Sequence, residues 1–458
     1  LGIIGAFIMP HPPLILPEVG RGEQNKIKAT VEACEKVAET VAELKPETIV
    51  LTSPHSVMYA DYFHVSPGDS ASGDMGGFGA PGLSLGVGYD SGFARGLEAR
   101  ARKAGIPAGT MGERQAALDH GTFIPLYFVN KVYPSYKLVR IGLSGLSVSE
   151  HYRLGTLIAK QAEESGKKTV LLASGDLSHK LSYDGPYGFA PEGVEFDNSI
   201  TRAFEDGDFM RFLTYPPGLT EKAAECGLRS FIIMAGALDG REVASKLLSY
   251  ENTFGVGYAV ASFIPGKDDE SRQFLRIFEE SEKSRLKQKQ TNEYVRLAYR
   301  AINNYVKHNK AEVPSGLPEE LTKRRAGVFV SIKKHGNLRG CIGTIEPVRE
   351  SIAEEIVRNA VSACAHDPRF SPVTPDELDM LDVSVDVLTA PVPVKSVSEL
   401  DVRKYGIIVE SGYKRGVLLP DLDGIDDVAQ QMEVAKRKAG ISDAEDFRIL
   451  RFEVVRHE

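Results

Sequence analysis

Four histidines, far apart in the N-terminal half of the chain, sit in short segments punctuated by Pro, Gly or Ser. They are His11 in MPHPPLILP, His55 in LTSPHS, His120 in LDHGTFIPL and His179 in SGDLSHKL. Imidazoles gathered at strand ends can hold a divalent transition metal and move protons beside it. A mononuclear ferrous site of the oxygenase type needs two neutral imidazoles and one anionic ligand on one face, with the other positions open. His11 and His55 are the natural imidazoles. The third ligand is open between Glu225 and Cys226, adjacent in EKAAECGLRSFIIMAGALDG. A carboxylate suits hard Fe(II) or Mn(II), whereas a thiolate favours softer ions such as zinc or copper. His179 with Asp176 suits acid/base work, since taking a proton from a hydroxyl requires a base near neutrality. Asp176 also fits a turn or helix cap. His120 is placed to hydrogen-bond substrate or dioxygen. His64, His151, His308 and His457 read as structural.

Elements that could position these groups alternate along the chain. Strand-like apolar runs occur at GIIGAFIM, TIVLTSP, KLVRIGLS, TVLLASGD and GYAVASFI, separated by helical stretches such as NKIKATVEACEKVAETVAELK and VSEHYRLGTLIAKQAEESG. The pattern predicts an α/β fold, a sheet covered by helices, with His11, His55 and the Asp176/His179 pair in turns that follow strands. The Gly- and Ser-rich segment SPGDSASGDMGGFGAPGLSLGVG predicts a long loop able to close over the site.

With 458 residues the chain exceeds one ordinary hydrophobic core. The reading is an N-terminal domain over 1–265, a charged linker or connecting helix over 266–290, and a C-terminal domain over 291–458. A net charge of -8 argues against nucleic acid or an anionic membrane as a general partner. Cys34, Cys226, Cys341 and Cys364 have no CxxC spacing, which speaks against a disulfide framework and for a cytoplasmic setting. The opening apolar run lacks a basic lead and is interrupted by His11 and prolines, so it reads as a strand entering a loop.

In the second domain, AGVFVSIKKHGNLRGCIGTIEP predicts a hairpin turning at KKHGN, followed by the helix SIAEEIVRNAVSACAHDPRF. Gly340 and Gly343 allow the backbone to approach something closely. Cys341 lies between them near Arg339, and with Arg369 they form a second candidate site for an anionic ligand or an internal carboxylate. His366, Asp367 and Arg369 read as an internal ion-pair network. Neither a P-loop nor GxGxxG follows a strand.

The segments PHPPL, SPH, DHGTFIPL, SGDLSH and ECG…GAL resemble the class III extradiol dioxygenase fold, represented by the protocatechuate 4,5-dioxygenase beta subunit, and the Memo-like proteins. The resemblance covers roughly residues 3–264 and implies an N-terminal mixed sheet covered by helices. It also implies Fe(II) on His11, His55 and a glutamate, with the later histidines near substrate and oxygen. In Memo-like members a cysteine takes the glutamate's place, which Cys226 fits. NLRGCIG, HDPRF, SVDVLTAPVPV and GYKRGVLLPD resemble the AMMECR-type domain over about 292–455, implying a smaller α+β domain. The fusion resembles proteins of the bacterial and archaeal AmmeMemoRadiSam system, which occur with a radical S-adenosylmethionine protein. These resemblances imply a non-haem Fe(II)-dependent, dioxygenase-like oxidoreductase acting with that partner. The alternatives are a metal-binding scaffold that has lost ring cleavage, and a zinc hydrolase.

Overall fold

The structure is a computed structural model that describes residues 2–458 apart from positions 116, 335, 423 and 443, and apart from the side chain at 217. It divides into two compact units, Leu1–Glu279 and Glu280–Glu458. The helix Phe274–Lys289 runs across the division.

The N-terminal unit is built on a six-stranded mixed sheet. Its order is Lys137–Gly142, Thr48–Ser53, Lys168–Ser174, Gly2–Met9, Tyr258–Asp268, Arg241–Glu251. The first four strands run parallel, Tyr258–Asp268 pairs antiparallel with Gly2–Met9, and Arg241–Glu251 pairs antiparallel with Tyr258–Asp268. Successive side chains of a strand face opposite sides, and here both sides are covered. Ala6, Ile8, Val50, Leu171 and Ala173 enter one core with the helices Val148–Ser165 and Leu228–Ala237. Phe7, Met9, Ile49, Leu51, Val170 and Leu172 enter the other, with the helices Lys28–Leu44 and His120–Val132. Burial on both faces explains why the central strands read as unbroken apolar runs.

Sequence periodicity misses two elements. The edge strand Arg241–Glu251 alternates half-buried Val243 and Leu247 with Glu242 and Lys246, and it lacks the apolar run of its neighbours. The Gly/Ser-rich segment does not form the expected loop; it is an antiparallel hairpin, Ser70–Met75 with Ala80–Gly88. Ala71, Met75, Leu83, Leu85 and Val87 pack on the core at every second position, and the glycines and serines between them hid that period. Phe78, at the hairpin's tip, lies edge-on to the His120 ring with centroids 5.3 Å apart.

Two of the histidines assigned structural roles are fully buried, His64 and His151. The His151 Nδ1 bonds to the Ser147 carbonyl at 2.9 Å, and burial lowers its pKa from 6.5 to about 3. The unfolded chain therefore takes up a proton that the folded one refuses. The N-terminal unit should lose stability as pH falls from 6.5 toward about 3. Urea midpoints measured across this window should fall, and fall less steeply in His151→Leu; identical slopes would contradict the assignment.

The C-terminal unit has an antiparallel sheet in the order Asn337–Gly343, Val328–Lys334, Leu381–Leu388, Arg448–His457, Tyr405–Ser411, Lys414–Leu418, with Val392–Pro393 paired to Arg448–His457. Helices Glu293–His308 and Ile352–Ala365 share its larger core. The expected hairpin joins Val328–Lys334 to Asn337–Gly343, and position 335 in its turn lies outside the described residues. The close approach foreseen at Gly340 is to the domain's own helix: an added Cβ there would meet the Ala363 carbonyl at 2.2 Å.

Candidate metal centre

Three adjacent parallel strands end at Met9, Ser53 and Ser174, and the residue two positions past each end is His11, His55 and Asp176. The chain thus delivers three chemical groups to the carboxyl edge of one sheet, where ligand sites of open α/β sheets form. His120 arrives separately, as the first residue of a helix capped by Asp119. The Asp119 carboxylate accepts the Thr122 N–H (2.9 Å) and the Ser53 hydroxyl (2.5 Å), and lies 3.6 Å from the fully buried Arg140 guanidinium.

The groups converge. His11 Nε2 and His55 Nε2 are 3.1 Å apart, and Cys226 Sγ is 3.7 Å from His11 Nε2. The ligand atoms of His11, His55 and Cys226 all lie within 4.8 Å of one another. The His120 ring is 4.0 Å from that of His55 and 5.4 Å from that of His11, centroid to centroid. His179 stacks on Tyr187 at 5.1 Å. Glu225 stands outside the trio, its carboxylate accepting the Leu228 N–H at 2.7 Å as the next helix begins. Burial raises the Glu225 pKa to about 7.

A serine that the sequence reading passed over sets the state of His11. Ser174 Oγ donates to the Gly121 carbonyl at 2.6 Å, and its single proton is thereby used. Toward His11 Nδ1, 2.9 Å away, it can only accept. The Nδ1 therefore carries the hydrogen, and the Nε2 lone pair faces His55 and Cys226. Outer-shell partners of this kind fix tautomer and ring orientation in metal sites. Ser174→Ala should weaken metal binding by about 10- to 100-fold. Titration with a chromophoric chelator would measure it, and an unchanged affinity would remove Ser174 from the account.

The protonation states leave the imidazole nitrogens free to act as ligands. Burial, then repulsion from His55, lowers the His11 pKa to about 3, and burial lowers those of His55 and His120 as well. All are neutral near pH 7, as metal ligands must be. Burial, reinforced by the Asp176 carboxylate, pushes the Cys226 thiol well above its usual range, while the Asp176 N–H donates to its sulfur at 3.3 Å. A divalent ion would reverse that, since a coordinating thiol is deprotonated outright. The donor set therefore fits a transition metal. Asp176 itself accepts the His11 backbone N–H at 2.8 Å, and burial raises its pKa to about 6.

The placing of the sulfur has a backbone cause. Gly175 and Gly227 pack so closely that a Cβ on Gly175 would meet the Gly227 Cα at 2.2 Å. This contact brings the loop carrying Cys226 against the end of the strand Lys168–Ser174.

In the C-terminal unit the second candidate cluster is occupied internally. Arg339 forks onto Glu377 at 3.0 and 2.9 Å and donates to the carbonyls of Ser371 and Pro372. Arg369 forks onto both oxygens of Asp367 at 2.9 and 2.7 Å, and the Oδ2 it holds at 2.7 Å also accepts the Cys341 N–H at 2.9 Å. Cys341 Sγ takes the Ser331 hydroxyl at 3.2 Å. An open anion site for Arg339 and Arg369 is thus replaced by carboxylates of the domain, one of which, Glu377, was not foreseen. Burial alone would raise the Glu377 pKa, but Arg339, the Thr374 N–H and Lys334 outweigh it and hold it at about 2.

A mixed α/β sheet with two imidazoles and a thiol gathered at its carboxyl edge is a site that could hold a metal ion. The chain belongs to the family described as the catalytic LigB subunit of aromatic ring-opening dioxygenase, matched over residues 5–261, and residues 295–457 match the AMMECR1 family. A protein of Clostridium acetobutylicum is 40% identical, with 100% of both chains covered. One of Thermotoga maritima is 52% identical over 36% of this chain and 97% of its own length. Among solved structures, a Pyrococcus horikoshii protein is 33% identical over 36% of this chain and 88% of its own, with a TM-score of 0.34. An Escherichia coli K12 protein is 18% identical over 57% of this chain and 99% of its own, with a TM-score of 0.37. Among the described residues no helix is long and apolar enough to cross a membrane.

Proposed function

We propose that the N-terminal unit is a non-haem, Fe(II)-dependent oxidoreductase of the dioxygenase type, with His11, His55 and Cys226 as the protein ligands. The observation that carries this reading is the facing of His11 Nε2, His55 Nε2 and Cys226 Sγ within 4.8 Å at the sheet's carboxyl edge. Bound there, iron would supply Lewis acidity toward a chelating substrate and redox chemistry toward dioxygen. The chain's own groups then have separate tasks. His179, kept neutral by burial against the pull of Asp176, accepts a proton from the substrate hydroxyl. His120, held at a capped helix start, hydrogen-bonds the substrate or dioxygen. Asp176 fixes the His11 backbone.

Oxygen uptake by anaerobically iron-loaded protein, offered catechols, tests the reading. Uptake that depends on iron and substrate, and that falls at least about 100-fold in His179→Gln at unchanged iron content, is the expected result. Iron that binds with no uptake on any chelating substrate would contradict it. A second reading is favoured by the thiol, which suits softer ions than a carboxylate does. In it the site holds metal for a partner, a radical S-adenosylmethionine protein, and ring cleavage is lost. Co-purification of the two proteins without oxygen uptake would support that reading over the first.

A further inference from the structure

The C-terminal unit carries a groove in which three of four exposed cations have no ion-pair partner among the described residues. The helices Phe274–Lys289 and Glu293–His308 border a cavity of about 560 Å³ in which Lys283, Lys287, Arg296 and Arg300 are exposed. Each helix offers an i,i+4 pair of like charge, an arrangement that destabilises an isolated helix. Arg296 is answered by Glu293. Lys283, Lys287 and Arg300 make no ion pair among the described residues, and the only carboxylate lining the groove is Asp379.

The groove is anchored. On another face of the first helix, Arg285 and Lys289 grip Asp382 at 2.9 and 2.7 Å, and Leu286 is buried. The Tyr299 hydroxyl donates to the Leu381 carbonyl. Two neighbouring cations are thus used in holding the helix, and the rest are left at the opening. Amide groups of Asn303 and Asn304 add neutral donors, and Leu286, Ile302 and Leu381 add an apolar floor.

We infer that this groove binds a diphosphate-bearing small molecule, whose oxygens are held by Lys283, Lys287 and Arg300. Arginine and lysine are the usual phosphate partners, and a groove lined by one sign of charge concentrates the opposite ion. The volume is that of a small-molecule site. The inference is independent of the metal centre, and neither a P-loop nor a glycine fingerprint is involved.

The test is calorimetric titration of the full chain, stripped of metal with a chelator, with ADP and with inorganic pyrophosphate. Saturable, salt-sensitive binding is expected, weakened at least about tenfold, or 1.4 kcal/mol, in Lys287→Glu/Arg300→Glu. Thermal unfolding of the double variant checks that it folds. If it does not, the single Lys283→Gln variant, expected to weaken binding more mildly, takes its place. ADP binding more tightly than pyrophosphate would identify a nucleotide-like ligand seated on the apolar floor; equal affinities would identify a bare polyphosphate. No saturable binding of either probe, or equal binding by the folded variant, overturns the proposal.

Discussion

His11→Ala should leave a folded protein with little or no bound metal, its affinity lowered by more than about 100-fold, beyond what loss of an outer-shell partner costs. His11 is the hinge of the trio: its Nε2 lies 3.1 Å from His55 Nε2 and 3.7 Å from Cys226 Sγ. It is also the member whose tautomer is set from behind, by Ser174. Truncating it removes a ligand and a buried side chain together, so some loss of stability is expected too. His151→Ala supplies the control, because that histidine is as deeply buried but, among the described residues, hydrogen-bonds only to the Ser147 carbonyl. Elemental analysis of both variants should find metal lost from the first and kept by the second. Metal retained by His11→Ala would move the site elsewhere.

Gly175→Ala should be the most damaging substitution near the site that touches no ligand. The new methyl would lie 2.2 Å from the Gly227 Cα and 3.2 Å from the Phe231 ring. Backbone on both sides must part, since neither obstacle is the end of a flexible side chain. Overpacking of this kind costs about 1–3 kcal/mol. The movement would also carry Cys226 away from the Asp176 N–H that now donates to it at 3.3 Å. Lower thermal stability together with weaker metal binding is the expected pair of results. A stable variant with unaltered metal affinity would show that the glycine contact does not place the sulfur.

Much of this was legible in sequence, for a physical reason. The central strands are buried on both faces, so Ile49, Val50 and Leu51 form a continuous apolar run that needs no partner to be recognised. The histidines stood out because they sit just past such runs. Legibility failed where the information is long-range. Glu225 and Cys226 are neighbours whose residue types left the third ligand open, the family resemblance leaning to Cys226; the Gly175–Gly227 contact and the Leu228 N–H separate them in the fold. Ser174 looks like the polar end of a strand until the Gly121 carbonyl is brought to it. Arg339 was visible as a cation, yet Glu377 was not visible as its partner. The hairpin from Ser70 to Gly88 was hidden by composition, because glycine and serine mark loops only when alternate positions are not apolar.

The sharpest discrimination comes from cobalt(II) loaded into metal-free protein and followed by absorption spectroscopy. With His11, His55 and Cys226 as ligands, a single cobalt ion per chain should give a thiolate-to-cobalt charge-transfer band that disappears in Cys226→Ser. Stoichiometric cobalt without that band, or a band that survives in Cys226→Ser, would contradict the assignment of the sulfur as a ligand.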